Sequence, residues 1–244
     1  MSPHEKPYLL VELPADQLLR AKRLERIDTT VQSRHENHKH ARHARKDQAE
    51  IHTLVGMLRF AGHLPVPMPA RVIHSDRPDF KILGADTEIG IQIVEAISQT
   101  TAAVECERGR IPNAPQLHWA IKQQPGEMKA SAERVRDLVL KNNPGDGYGG
   151  DGTMAWAEAI VHFVHRKIET ASKPGFEKLK QTWLLVYDNW QEHNTDPDQA
   201  NRLLHGMLLD RGAFDTFQWI LILTSPNLHA HEARANFTLV APGS

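Results

Sequence analysis

Arg77-Pro78-Asp79-Phe80-Lys81-Ile82, a short gap, then Ile89-Gly90-Ile91-Gln92-Ile93-Val94: the reading of this stretch decides the fold. Alternation sets Phe80 and Ile82 on one face of a first strand, and Ile89, Ile91 and Ile93 on one face of a second. That pattern predicts a hairpin with an apolar face. The other face then carries Asp79, Lys81, Gly90, Gln92 and Val94, because successive side chains of a strand point to opposite sides. An antiparallel register with Ile82 opposite Ile89, closed over Gly84, Ala85, Asp86 and Thr87, puts Asp79 opposite Gln92. A carboxylate and an amide oxygen converge there. Hard divalent cations take oxygen ligands, so the pair makes a half-site for Mg²⁺. A hairpin with a hydrated outer face and no ion meets the same spacing.

Upstream, Asp47 to Ala61 reads as a helix with the apolar stripe Ile51, Leu54, Val55, Leu58 and Ala61. Glu50 lies on the edge of that stripe, one turn before Leu54, which holds its carboxylate near the core boundary. Leu64-Pro65-Val66-Pro67-Met68-Pro69 ends the helix. Arg71 to His74 then gives a first strand, so the order is one helix and three strands. Before the helix, Pro14 to Lys46 reads as a charged helical arm, residues 1–46 in all, with sparse apolar positions at Leu18, Leu19, Leu24, Ile27 and Val31. Its second half, Arg34 to Lys46, is basic and dense in histidine. Such a helix can track phosphates, gaining charge below about pH 6.5, or it can simply be a solvated face. His35 with His38, and His40 with His43, have helical i,i+3 spacing, but no Cys or carboxylate set completes a zinc pattern. A metal-responsive or pH-responsive interaction segment is a further reading of the arm.

Downstream, Ser98 to Gly152 reads as an insertion with one helix at Ala130 to Lys141. Its last part, Pro144 to Gly152, is glycine-rich and precedes a helix, so its amides suit a phosphate. It lacks the Gly-Lys-Ser/Thr ending of a Walker loop, and a plain connection satisfies the same composition. Thr153 to Thr170 is helical, with Trp156, Ala159, Ile160, Phe163, Val164 and Ile168 as apolar positions and Lys167 near its end. Trp183 to Tyr187 and Phe217 to Leu223 are near-continuous apolar runs, the mark of central strands covered on both faces. A helix over Asn201 to Leu209 lies between them, and Ala235 to Val240 is a last strand. The expectation is an α/β domain over residues 47–244, an α-β-β-β-α-β core on a mixed sheet with an α-β extension.

Composition sets modest bounds. A chain of 244 residues buries a substantial core as one domain with an appendage. With 29 Lys plus Arg against 30 Asp plus Glu, net charge neither points to nucleic acid nor excludes it. Cys106 is the single cysteine, and there is no secretory start or long apolar run, which together predict a cytoplasmic protein with no membrane partner.

In element order and in these residues, the stretch from about Asp47 to Leu223 resembles the PD-(D/E)XK, or restriction-endonuclease-like, nucleases, with the insertion unmatched. The resemblance implies hydrolysis of phosphodiester bonds dependent on Mg²⁺ or Mn²⁺, with nucleic acid as partner, DNA ahead of RNA. It matches Glu50 to the family's acidic residue on the first core helix and Pro78-Asp79 to the PD pair. Gln92 takes the place of the Asp or Glu of (D/E)XK. The implied metal ligands are Asp79, the side-chain oxygen of Gln92 and the main-chain carbonyl of Ile93, with Glu50 placing a water or a second ion. Two residues on, where the family has lysine, stands Val94. Either Lys167, arriving from a neighbouring helix as in some members of the family, or Lys81 of the hairpin would replace it, and Lys167 is preferred. Gln92 and Val94 together also imply an alternative: a catalytically inactive relative that binds nucleic acid or protein. Oligomeric state is left open, a homodimer included.

Overall fold

Strand β1 (Tyr8–Leu13) lies antiparallel to β2 (Ala70–His74), β2 to β3 (Phe80–Leu83), and β3 to β4 (Glu88–Ala96). The β3–β4 register pairs Phe80 with Ile91 and Ile82 with Ile89, as alternation predicts. The turn closes with the Gly84 amide donating to the Thr87 carbonyl at 2.8 Å. Beyond β4 the sheet continues through β5 (Gln181–Asp188), β6 (Trp219–Thr224), β7 (Asn227–Glu232) and β8 (Ala235–Val240), in that spatial order. β5 and β6 are parallel, and β6–β7–β8 is an antiparallel meander. The protein is thus mixed α/β, with an eight-stranded mixed sheet and six α-helices among the described residues. This computed structural model describes residues 7–37, 42–114, 124–140, 151–177, 179–190, 192 and 194–240, and the side chains of 31–45 are outside that description.

The helices are α1 (Gln17–Asn37), α2 (Arg42–Leu58), α3 (Gln99–Arg108), α4 (Ala132–Leu140), α5 (Gly152–Ala171) and α6 (Pro197–Asp210). The chain divides into two compact units. One comprises Met1–Val94, Lys167–Tyr187 and Gly212–Ser244; the other comprises Glu95–Arg166 and Asp188–Arg211. In the first unit, Ile51, Leu54, Val55 and Leu58 of α2 are buried in one core with Phe80, Ile82, Ile89, Ile91 and Ile93. Each such side chain contributes about 1.5–3 kcal/mol on burial, so Leu54→Ala, at a site with no exposed surface, would cost about 2–5 kcal/mol. Trp183, Leu184, Leu185 and Val186 are wholly buried, because β5 is covered on both faces.

Residues 17–30, the part of α1 described with its side chains, are not the exposed arm that the sparse apolar positions suggest. Leu24 is buried, and Asp28 of α1 accepts from Arg59 at 2.7 Å and contacts His52 at 2.8 Å. These bonds tie α1 to α2 and the residue just beyond it. Residues 38–41 of the histidine-rich segment, and the glycine-rich run before Asp151, lie outside the described residues, so the histidine pairs of that segment do too. Three elements were not expected from sequence: β1, α3 and β7. In the second unit, Ser98 caps α3 by accepting from the Thr101 amide at 3.0 Å, and Val104 packs with Val135, Leu138 and Val139 of α4. α6 starts with Asp196 accepting from the amides of Asp198 and Gln199, followed by Pro197 where a helix needs no N–H.

Candidate metal centre

Asp79 stands one residue before β3, at the end of a tight turn. The Ser75 amide donates to the Asp79 carbonyl at 2.9 Å, and the Ser75 hydroxyl donates to the carbonyl of Pro78. That turn aims the Asp79 side chain at β4, where Oδ2 accepts from the Ile93 amide at 2.7 Å. Gln92, its neighbour on β4, is 4% exposed. The face of the hairpin opposite the isoleucines is therefore covered. Gly90 allows this: a Cβ there would meet Leu179 Cδ1 at 2.8 Å and Pro78 Cγ at 3.0 Å, so only glycine lets the Pro78 turn lie against β4.

Lys167, in the last turns of α5, completes the group. Its Nζ donates to Gln92 Oε1 at 3.3 Å and sits 3.8 Å from Asp79 Oδ2. The contact also orients the amide, since the flipped rotamer would set two donors face to face. Gln92 Nε2 is then left buried with no hydrogen-bond partner among the described residues. A buried donor without an acceptor is costly, so an oxygen atom brought beside Gln92 Nε2 would be favoured there. Lys81 is engaged elsewhere. Both Glu177 carboxylate oxygens accept from its ammonium at 2.8 Å, and Glu88 lies at 4.0 Å. Val94 is half-buried and brings no charge.

Glu50 comes from α2, with Oε1 3.2 Å from Lys46 Nζ one turn earlier. Burial first, and then the charge of Asp79, push its carboxyl up to about 7, against the pull of Lys46. Burial likewise raises Asp79, opposed by Lys167, the Ile93 amide, Lys46 and His74. Both carboxyls are held above their ordinary range chiefly by burial, a penalty that a cation brought to either would offset. Of the residues singled out from sequence, Lys167 meets Gln92 and Asp79, and Glu50 lies near enough for the charge of Asp79 to raise its carboxyl, while Lys81 is turned to Glu177. The Ile93 backbone also contributes its amide, which holds Asp79. Sequence reasoning missed Lys46, Asp47 and His74, of which the i,i+4 pair Lys46–Glu50 was open to inspection.

The donor set fits a divalent ion in kind: a carboxylate oxygen, an amide oxygen and a neighbouring second carboxylate are hard ligands. Gln92 is neutral and Lys167 adds a positive charge, so the group carries less negative charge than a pair of carboxylates would. Comparisons with protein-family models, with curated proteins and with solved structures each returned no match. The chemistry therefore rests on the geometry of these side chains. Among the described residues, no helix is long and apolar enough to cross a membrane.

Proposed function

We propose that the protein is a metal-dependent nuclease of the restriction-endonuclease-like class that hydrolyses phosphodiester bonds in DNA. The observation that carries this reading is the meeting of Asp79, Gln92 and Lys167 within hydrogen-bonding or ion-pair distance, from a strand entry, a strand and a helix distant in sequence. The order α2-β2-β3-β4, then α5-β5, supports it, with α3 and α4 intervening. Bound Mg²⁺ or Mn²⁺ would polarise the scissile phosphate and lower the pKa of a coordinated water. Asp79, Gln92 Oε1 and the Ile93 carbonyl are the groups suited to hold it. Glu50, with a carboxyl poised near neutrality, suits the handling of a water proton. Lys167 presents an ammonium in the cleft, able to turn from Gln92 to the phosphate oxygens as negative charge builds on them.

One observation favours a second reading, a catalytically inactive nuclease-like protein that binds nucleic acid. Lys167 already neutralises Asp79, and neither Gln92 nor Val94 supplies the charge usual in that class. Cleavage and binding separate the two. The protein would be incubated with single- and double-stranded DNA and RNA in Mg²⁺ or Mn²⁺, with binding followed by anisotropy in Ca²⁺. Cutting that disappears in Asp79→Ala supports the nuclease; tight binding with no cutting under any ion transfers the conclusion to the inactive relative.

A further inference from the structure

Asp47 and Glu50 of α2 are three residues apart and share a face of the helix. His74 closes β2, paired across the sheet with Phe80, the residue after Asp79. One ligand atom from each of Asp47, Glu50 and His74 lies within 4.8 Å of the other two. We propose that these three side chains form a metal-binding position of their own, selective for a borderline divalent ion such as Mn²⁺, Co²⁺ or Zn²⁺ over Mg²⁺.

Carboxylates crowd together on many surfaces without binding anything. Here the imidazole, from a separate element, makes the set a ligand field. Its ring is held between two aromatic side chains, Tyr8 with centroids 5.1 Å away and Phe80 edge-on at 4.8 Å. A metal-binding histidine needs its plane fixed, and this packing does so. Three donors sharing an ion at about 2.1 Å lie about 3.0–3.6 Å from one another, so atoms within 4.8 Å of each other need close by up to about 1.2–1.8 Å. That is within side-chain rotation. The Lys46 ammonium pairs with Glu50 and would have to turn aside, which its side chain, 70% exposed, is free to do, while the Glu50 side chain is 12% exposed and stays at the core boundary. A nitrogen donor with two carboxylates suits Mn²⁺, Co²⁺ or Zn²⁺, whereas Mg²⁺ prefers oxygen and gives up its waters reluctantly. The position shares Glu50 with the cleavage reading but does not depend on it.

The test is a titration of the full chain with MnCl₂, following free Mn²⁺ by electron paramagnetic resonance, with CoCl₂ absorption as a signature of imidazole ligation. Parent, Asp47→Asn, His74→Gln and Asp79→Asn proteins are compared, each checked by circular dichroism. Asp47→Asn and His74→Gln should each weaken one Mn²⁺ event by at least about tenfold. Excess Mg²⁺ should leave that event in place in the parent. Asp47 is half-buried and outside the core, so its variant decides the matter should His74→Gln fail to fold. If Mn²⁺ stoichiometry and affinity in Asp47→Asn equal those of the parent, the position does not exist. A Mn²⁺ event lost in Asp47→Asn but untouched by Asp79→Asn upholds this position even if no nucleic acid is ever cut. Loss only in Asp79→Asn does the reverse.

Discussion

Lys167 Nζ and Asp79 Oδ2 stand 3.8 Å apart, and the same ammonium donates to Gln92 Oε1. A lysine that bridges a buried carboxylate and a buried amide has two roles in this account. It lies against the charge of Asp79 in the resting protein, and in the proposed reaction it would face the phosphate.

Both roles are open to test in Lys167→Met. Cleavage should slow by about 10²-fold while Mn²⁺ binding at Asp79 holds or tightens, since the ammonium acts mainly on charge that develops in the transition state. The unliganded variant should also lose about 1–3 kcal/mol of stability at pH 7, because Asp79 keeps its burial and loses its counter-charge. Steady-state kinetics and urea melts read the two effects. Lys81→Ala, which removes an ion pair to Glu177, should leave kcat nearly unchanged.

Val94 occupies the place where the resembled class keeps its lysine. If the cleft needs one ammonium and is tolerant of its origin, Val94→Lys should restore part of the activity lost in Lys167→Met. No recovery would mean that Lys167 does more than supply charge. The double variant, assayed beside both single ones, decides this.

Glu50 predicts a pH dependence of stability. Its folded pKa of about 7 lies above the ordinary carboxylate value of 4.5, so the folded state binds the proton more tightly than the unfolded one. Between these two values stability falls as pH rises, and above about 7 the full loss is present. Glu50→Gln should therefore raise the melting temperature of the metal-free protein at pH 8, by the equivalent of about 1–3 kcal/mol. Near pH 4 it should change little. Divalent ions should stabilise the parent more at pH 8 than at pH 6, since they bind the ionised carboxylate.

Gly90→Ala tests the turn. The added methyl would press on Leu179 and on Pro78, whose turn aims Asp79. A loss of about 1–3 kcal/mol is expected. Activity should drop more than stability explains, measured at a temperature where both proteins are folded.

The hairpin was legible because period-2 alternation is local: Phe80, Ile82, Ile89 and Ile91 fix faces and register without help from the rest of the chain. The buried strands β5 and β6 were legible for a related reason, since their apolar runs admit few alternatives. β7 was not. His229 and His231 alternate with Leu228 and Ala230 in its middle, all four buried, and a four-residue run that is half histidine has no apolar signature. The site was half legible. Asp79 and Gln92 follow from the register, whereas Lys167 entered through a family resemblance, because its approach depends on how the end of α5 meets the sheet. His74 shows the limit: it reaches Asp47 and Glu50 through the packing of β2 and α2, and no spacing in the sequence encodes that.

The central claim is that Asp79 organises a centre for phosphodiester cleavage, and the most direct measurement is the single-turnover cutting rate of parent and Asp79→Asn on labelled DNA, in Mg²⁺, in Mn²⁺ and in EDTA. Ion-dependent cutting by the parent is expected, none in EDTA, and a fall of at least about 10³-fold in the variant, whose shape is kept but whose charge is gone. Equal rates for the two proteins, or no cutting by a folded parent in either ion, would contradict it.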